Sequence, residues 1–392
     1  MEKSKLASNI WKLSVIKAVR SGMFSIAIIT PFFIENGVSV KEVIYLQALF
    51  SLAAIIFEFP TGYFADNYGR KNSIILGGFF SSLGFFLYSL SHGFWEFLLA
   101  ETVLALGMSF VSGADGALLI ETQGDARDTG LNISQEGEVR KFGFISEGLT
   151  SLIGGSLVAV CALRVPLYLD ALFSSLVFFI GFSLVESKRK IQRKNIFEAS
   201  KKVGRFLLVE NRGAGKLICF SAICSASTLN MVWFIQPYWI ALDVPVKFFG
   251  YLWASFFFFG AFVSASAYKL EKSLKKKSLL IILIASVVGY FPLSMDLSIS
   301  WCMLAIMPFY IARGLSDPVT RGYLNGEMTD EQRSSILSVR NLVYRLVFAF
   351  VGPMMGWVGE AYSLQTALLV SGVTFGLMGL VAWMFLVKHK AA

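Results

Sequence analysis

Of the 392 residues, 55% are hydrophobic and 16% charged, and the mean hydropathy is +0.64. Soluble domains carry about 25% charged residues, so this composition excludes an ordinary soluble enzyme and points to the membrane. The net charge of +9 is not that of a nucleic-acid-binding domain, because the basic residues fall between apolar runs.

A helix that crosses a bilayer needs about 20 mostly apolar residues. Twelve such spans are predicted in chain order: 12–34, 39–61, 73–91, 94–120, 139–162, 165–185, 214–236, 246–268, 278–296, 299–322, 334–358 and 363–387. Lys3, Lys5 and Lys12 lead into span 1, and no small-residue cleavage site follows it, so it reads as a retained helix. The longest polar stretch, 186–213, separates span 6 from span 7. It predicts an N-terminal six-helix bundle over 1–185, an interfacial linker, and a C-terminal six-helix bundle over 214–392. With the N-terminus inside, 27 of the 35 Lys and Arg fall on inside segments, and the outside loops hold only Lys41, Arg164 and Lys247. That asymmetry predicts a multi-pass protein of the cell (inner) membrane with both termini cytoplasmic.

Between spans 2 and 3 stands the stretch 62–74, GYFADNYGRKNSI. Asp66, Arg70 and Lys71 are too charged for hydrocarbon, so the chain should turn here at the membrane surface. Gly62 and Gly69 offer positions where helix ends approach closely or φ turns positive. On charge alone this is also an ordinary positive-inside loop. Its order, Gly-x-x-Ala-Asp-x-x-Gly-Arg-Lys, resembles the loop between helices 2 and 3 of the major facilitator superfamily. Gly62, Ala65, Asp66, Gly69, Arg70 and Lys71 match, whereas Phe64 and Asn67 depart. The resemblance implies an all-α membrane protein, with twelve transmembrane helices in two pseudo-symmetric six-helix bundles. It also implies that Gly62, Asp66, Gly69, Arg70 and Lys71 form a latch between the halves on the cytoplasmic side.

A weak internal repeat agrees with two parallel halves. Ala267, Glu271, Lys275 and Lys276 after span 8 fall where Gly62, Asp66, Arg70 and Lys71 stand after span 2. The start of span 5, from Arg140 to Glu147, aligns with the start of span 11, from Arg333 to Arg340.

Ionisable residues inside spans are costly, by about 3 kcal/mol on insertion scales, and usually face a cavity or a partner. They are Lys17 and Arg20 in span 1, Glu58 in span 2, Glu101 and Asp115 in span 4, and Glu147 in span 5. Asp170 follows in span 6, Arg313 and Asp317 in span 10, and Arg340 and Arg345 in span 11. Lys17, Arg20, Arg313, Arg340 and Arg345 are the candidate substrate-cavity residues. Asp115, Glu147 and Asp317 are the candidates for proton coupling. Arg313 and Asp317, four apart, also suit a local pair. Glu147 and Arg340 are internally equivalent and suggest a pair between the halves, either gating or permanent. Asp170 is expected about one turn from the outer end, within reach of water.

Cys161, Cys219, Cys224 and Cys302 all lie in apolar runs without a CxxC, which predicts neither a metal site nor a disulfide framework. No GxxxxGK[ST], nucleophile triad or metal-ligand cluster occurs, so an enzyme is not expected, nor a cofactor. The expected protein is a monomeric secondary active transporter working by alternating access. Its partners would be a small-molecule substrate, protons and the lipid bilayer. Cavity spans rich in Phe, Trp and Tyr favour proton-coupled export of small amphipathic organic molecules. The surplus of embedded cations favours instead a carrier, importers included, of an anionic metabolite or siderophore. A membrane sensor or scaffold without transport would have little need of deep charges.

Overall fold

The computed structural model describes residues 2–112, 114–116, 118, 129–186, 211–275, 277–295, 297–325 and 330–390. Arg127, Lys276 and nearly all of the basic linker, 187–210, lie outside the described residues. Among those described there is no strand. Among the described residues each predicted span contains helix.

Span 1 is two helices, Glu2–Ser21 and Ile29–Glu35, with a 3₁₀ turn Ser25–Ala27 between them. Spans 2 to 4 are Val40–Tyr68, Arg70–Leu90 and Gly93–Ser112. Spans 5 and 6 are Thr129–Val158 and Val165–Ser183, and spans 7 and 8 are Arg212–Ala241 and Phe249–Ala265. A short helix, Ala267–Leu274, precedes span 9, which is Lys277–Ala285 followed by Tyr290–Leu293. Spans 10 to 12 are Ile299–Asn325, Asp330–Ala361 and Leu364–Lys390. Among the described residues nine helices are long and apolar enough to cross a membrane, and up to eleven if each of two bent pairs is one span. The remaining place is span 5. It has 30 residues, about 45 Å at ~1.5 Å per residue, but Glu136, Glu138, Arg140, Lys141 and Glu147 dilute its apolar character.

Span 3 packs on spans 4 and 6, and span 7 packs on spans 10, 11 and 12. Three long seams join the first six spans to the last six: span 5 against span 8, span 2 against span 11, and span 5 against span 10. The first seam depends on glycine. A Cβ on Gly155 would lie 2.6 Å from the Gly250 Cα, and one on Gly154 would lie 2.0 Å from the Phe24 carbonyl oxygen. Only hydrogen in place of a side chain lets span 5 approach span 8 and span 1 this closely.

The break in span 1 is the other feature that positions the site. Helical bonding stops at Ser21, and the two helices meet at 50°. Backbone groups freed inside a membrane must find partners in the protein. Here three other spans supply them. Thr150 of span 5 accepts from the Met23 N–H at 3.0 Å. Asp170 of span 6 accepts from the Phe24 and Ser25 N–H groups at 2.6 and 2.9 Å. Gln236 of span 7 accepts from the Thr30 N–H at 2.9 Å and donates to the Ile26 carbonyl at 2.5 Å. The expectation that Asp170 reaches water is therefore corrected. It is 1% exposed and caps the broken helix, a role no local pattern around Asp170 encodes.

The expected loop 62–74 is also corrected. Span 2 stays helical to Tyr68, and span 3 starts at Arg70. A single residue, Gly69, makes the turn at φ 101°, a conformation that glycine alone adopts without strain. Gly62 and Asp66 thus lie within the last turns of span 2. Gly62 faces open space and not another helix: a Cβ there would have nothing within 4 Å.

Candidate functional site

Call the end of the bundle that carries Lys12, Arg70 and Lys71 the basic end, and the opposite one the far end. Between the middle of the bundle and the basic end, spans 1, 5 and 10 enclose a cavity of about 110 Å³. Lys17 and Ser21 line it from span 1, Glu136, Val139, Arg140 and Gly143 from span 5, and Asp317 and Arg321 from span 10. The helical spacing explains the set. Glu136, Arg140 and Gly143 recur at intervals of four and three on one face of span 5, as Asp317 and Arg321 do on span 10. Three cations and two carboxylates thus converge between elements from both ends of the chain. Arg321 reaches Glu136 at 3.5 Å, an ion pair that joins span 10 to span 5.

Three further ion pairs of embedded charges stay within one group of six spans. Arg20 binds Asp115 at 2.5 Å, tying span 1 to span 4. Arg340 binds Asp317 at 2.8 Å and donates to Ser221 and Ser225 at 3.0 Å, so span 11 is riveted to spans 10 and 7. Two expected pairings are corrected. Asp317 is taken by Arg340 and not by Arg313. Glu147 lies 3.8 Å from Arg140 on its own helix and not beside Arg340, so no permanent bridge joins Glu147 and Arg340. Arg313 instead stands over the Tyr310 ring at 5.3 Å. Arg345 stands over the rings of Phe50 and Tyr344, both at 5.5 Å, on the seam between spans 2 and 11. A guanidinium against an aromatic face is held by the ring quadrupole, which needs no carboxylate partner.

Beyond the cavity toward the far end the packing turns aromatic. Arg140 lies 4.2 Å over the Phe144 ring, and Phe144 meets Phe257 and Tyr310. The Tyr310 hydroxyl and one Glu147 carboxyl oxygen, Oε2, are buried there without a hydrogen-bond partner.

The sequence matches the family model described as Major Facilitator Superfamily over residues 14–214 and 218–392. The chain belongs to the Major Facilitator Superfamily. It is a multi-pass membrane transporter and not an enzyme. It is 23% identical over 395 residues to the uncharacterized MFS-type transporter YxaM of Bacillus subtilis (strain 168), covering 97% of this chain and 96% of that protein. The fold matches a mutant of the nucleoside transporter NupG with a TM-score of 0.73 at 13% identity, over 97% of this chain and 99% of that one. It matches the human organic anion transporter MFSD10 (TETRAN) with a TM-score of 0.68 at 12% identity, over 97% and 100%.

In this superfamily member the motif that carried the resemblance is tied to the end of span 6. Glu186 accepts from the backbone N–H groups of Arg70 and Lys71 at 3.0 and 2.8 Å, and Lys71 Nζ donates to the Phe182 carbonyl at 2.8 Å. A carboxylate at a helix N-terminus meets free N–H donors and the positive end of the helix dipole. Of the sequence candidates, the structure brings Lys17 and Asp317 to the cavity wall, with Arg340 behind Asp317. It sets Arg20 and Asp115 against each other and Arg313 among the aromatics, and it leaves Arg345 on the outer seam. Sequence reasoning missed Glu136, Arg140 and Arg321, which read as surface charges near helix ends, and Gln236, a neutral residue among apolar ones. The one available signal was spacing: Glu136 and Arg140 lie on the face that Gly143 continues.

Proposed function

We propose that this transporter works by alternating access of two six-helix halves, 1–185 and 214–392, joined by the linker 186–213. The basic end is then cytoplasmic, both termini lie inside, and the chain acts as a monomer in the inner membrane. The substrate is a small amphipathic organic molecule with an anionic group, and its movement is coupled to protons. The observation that carries this reading is the cavity itself. Lys17, Arg140 and Arg321 outnumber Glu136 and Asp317 there, and the aromatic cluster of Phe144, Phe257 and Tyr310 packs next to it behind Arg140. At about 110 Å³ the cavity has room for only a few waters in this conformation.

Glu147 and Asp115, each facing an arginine, are the groups whose protonation loosens an ion pair inside the cavity region. Export suits the aromatic cluster. Import of an anionic metabolite or siderophore is the second reading, favoured by the cation surplus. The test uses purified protein in vesicles with a panel of labelled organic anions and an imposed proton gradient. Uptake driven by an inward gradient supports import, and uptake into inverted vesicles driven by an inside-acid gradient supports export. No gradient-dependent flux of any panel member, with the protein shown to be folded, rejects the reading. Lys17→Gln and Arg321→Gln should each lower anion affinity about tenfold.

A further inference from the structure

Most of the carboxylates considered so far have a stated partner. Asp115 faces Arg20, Glu147 faces Arg140, Asp317 faces Arg340, Glu136 faces Arg321, and Asp170 takes two backbone N–H donors. Glu101 of span 4 has neither kind of partner among the described residues. It is 3% exposed, and its Oε1 accepts from Gln47 Nε2 of span 2 at 2.5 Å and from the Tyr88 hydroxyl of span 3 at 3.0 Å. Spans 2 and 3 are the elements that pack against span 4, and among the described residues these two neutral side chains are the polar groups they bring to Glu101. Phe32, Phe33 and Phe97 close an apolar shell around the Tyr88 ring. Beyond Tyr88, at the far-end surface, lie Arg164 and His92, in contact with each other at 2.7 Å.

A carboxylate sealed from water and facing only neutral donors is strongly disfavoured as an anion. In this conformation Glu101 is therefore the neutral acid. Losing its proton requires water or a cation to reach it, which requires span 2 to move from spans 3 and 4. That same segment of span 2 forms a seam with span 11. Ile44, three residues before Gln47, abuts Gly356, and Phe50, three after it, lies under Arg345.

We propose that Glu101 is a proton-binding site of the transport cycle, loaded while span 2 is packed against span 4 and emptied to water at the far end when the seam with span 11 opens. The proton goes to water, and the carboxylate left behind is hydrated. Oε1 can accept from Gln47 and Tyr88 in either form, and only the neutral acid carries an O–H, so deprotonation removes a donor and leaves a charge that these two neutral groups do not balance. This inference extends the proton-coupled reading above to a residue outside the cavity.

Infrared difference spectroscopy of the full chain in lipid vesicles, with the proton as the only ligand, tests it without any substrate. A carboxylic-acid C=O band should disappear as pH is raised, be absent in Glu101→Gln, and shift in position in Tyr88→Phe and Gln47→Leu. Glu101→Gln keeps both side-chain contacts possible, and Tyr88→Phe reports on the same band if Glu101→Gln does not fold. A titrating band that shifts in Tyr88→Phe and yet survives in Glu101→Gln overturns the proposal. So does a Glu101 band that persists at every pH, because it marks a fixed neutral staple. Gradient-driven flux that fails while this band titrates would break the transport reading and leave the proton site standing.

Discussion

The two ends of the seams between the first and last six spans are closed by different means. Toward the far end, closure is mostly apolar and neutral, with one exposed ion pair, Lys41 of span 2 to Glu360 of span 11, at its rim. Gln236 stitches itself to the broken backbone of span 1, and Gly155 and Gly250 bring spans 5 and 8 into backbone contact. Toward the basic end, closure surrounds a charged cavity, and Arg321 reaches Glu136 at 3.5 Å with both side chains about a quarter exposed. Close apolar packing and buried neutral hydrogen bonds are insensitive to salt, and they are lost in one piece when helices part. Partly exposed ion pairs are weak, hydrated and screened. This conformation is thus shut firmly at the far end and held loosely at the basic end.

The largest effect should come from a charge that belongs to neither closure. Arg340→Ala leaves Asp317 without its cation and strands Ser221 and Ser225, and should destabilise the protein by about 3 kcal/mol. Thermal unfolding in detergent measures it. Arg340→Lys should recover only part, because one ammonium cannot span the same three partners. A silent Arg340→Ala would mean that Asp317 is solvated, and the basic end wetter than described.

Next comes the far-end stitch. Gln236→Leu leaves the Thr30 N–H and the Ile26 carbonyl buried without a partner, at about 2–3 kcal/mol together. The expected outcome is a population shifted toward opening at the far end, read as faster labelling of a cysteine at position 29 by a membrane-impermeant maleimide. Unchanged labelling would show that Gln236 supports the fold but does not set which side is open.

Gly155→Val should act in the same direction with a smaller effect, about 1–3 kcal/mol, by wedging span 5 from span 8. If the far end is the tight one, this variant loses stability, while Gly62→Val, at a position with open space, does not. The smallest effect is expected at the basic end. Glu136→Gln should cost no more than about 1 kcal/mol and should speed opening to that side, and the wild type should approach the variant as salt rises. A large, salt-independent loss would erase the contrast between the ends.

Much of the architecture was legible in the chain because the bilayer leaves few choices. A run of apolar residues about 20 long, flanked by charge, has helix as its only single-chain solution in hydrocarbon. The GYFADNYGRKNSI stretch marked the junction of spans 2 and 3 and the family. Its geometry was not legible, since nothing local says that Gly69 alone makes the turn or that Glu186, more than a hundred residues away, caps span 3. The embedded charges were likewise visible as residues and hidden as pairs. Local spacing favoured Arg313 with Asp317, but Arg340 offers Asp317 a buried fork from a facing helix.

What the sequence by itself determined is the membrane, the helical class, the family and the set of costly charges, because each follows from transfer free energies or from a contiguous motif. What only the tertiary structure decided is which charge meets which, where span 1 breaks, and which end is shut. Thr150, Asp170 and Gln236 come from three different spans to satisfy one interrupted backbone. Such a match depends on the spatial approach of helices far apart in the chain, and periodicity within any single helix carries no record of it.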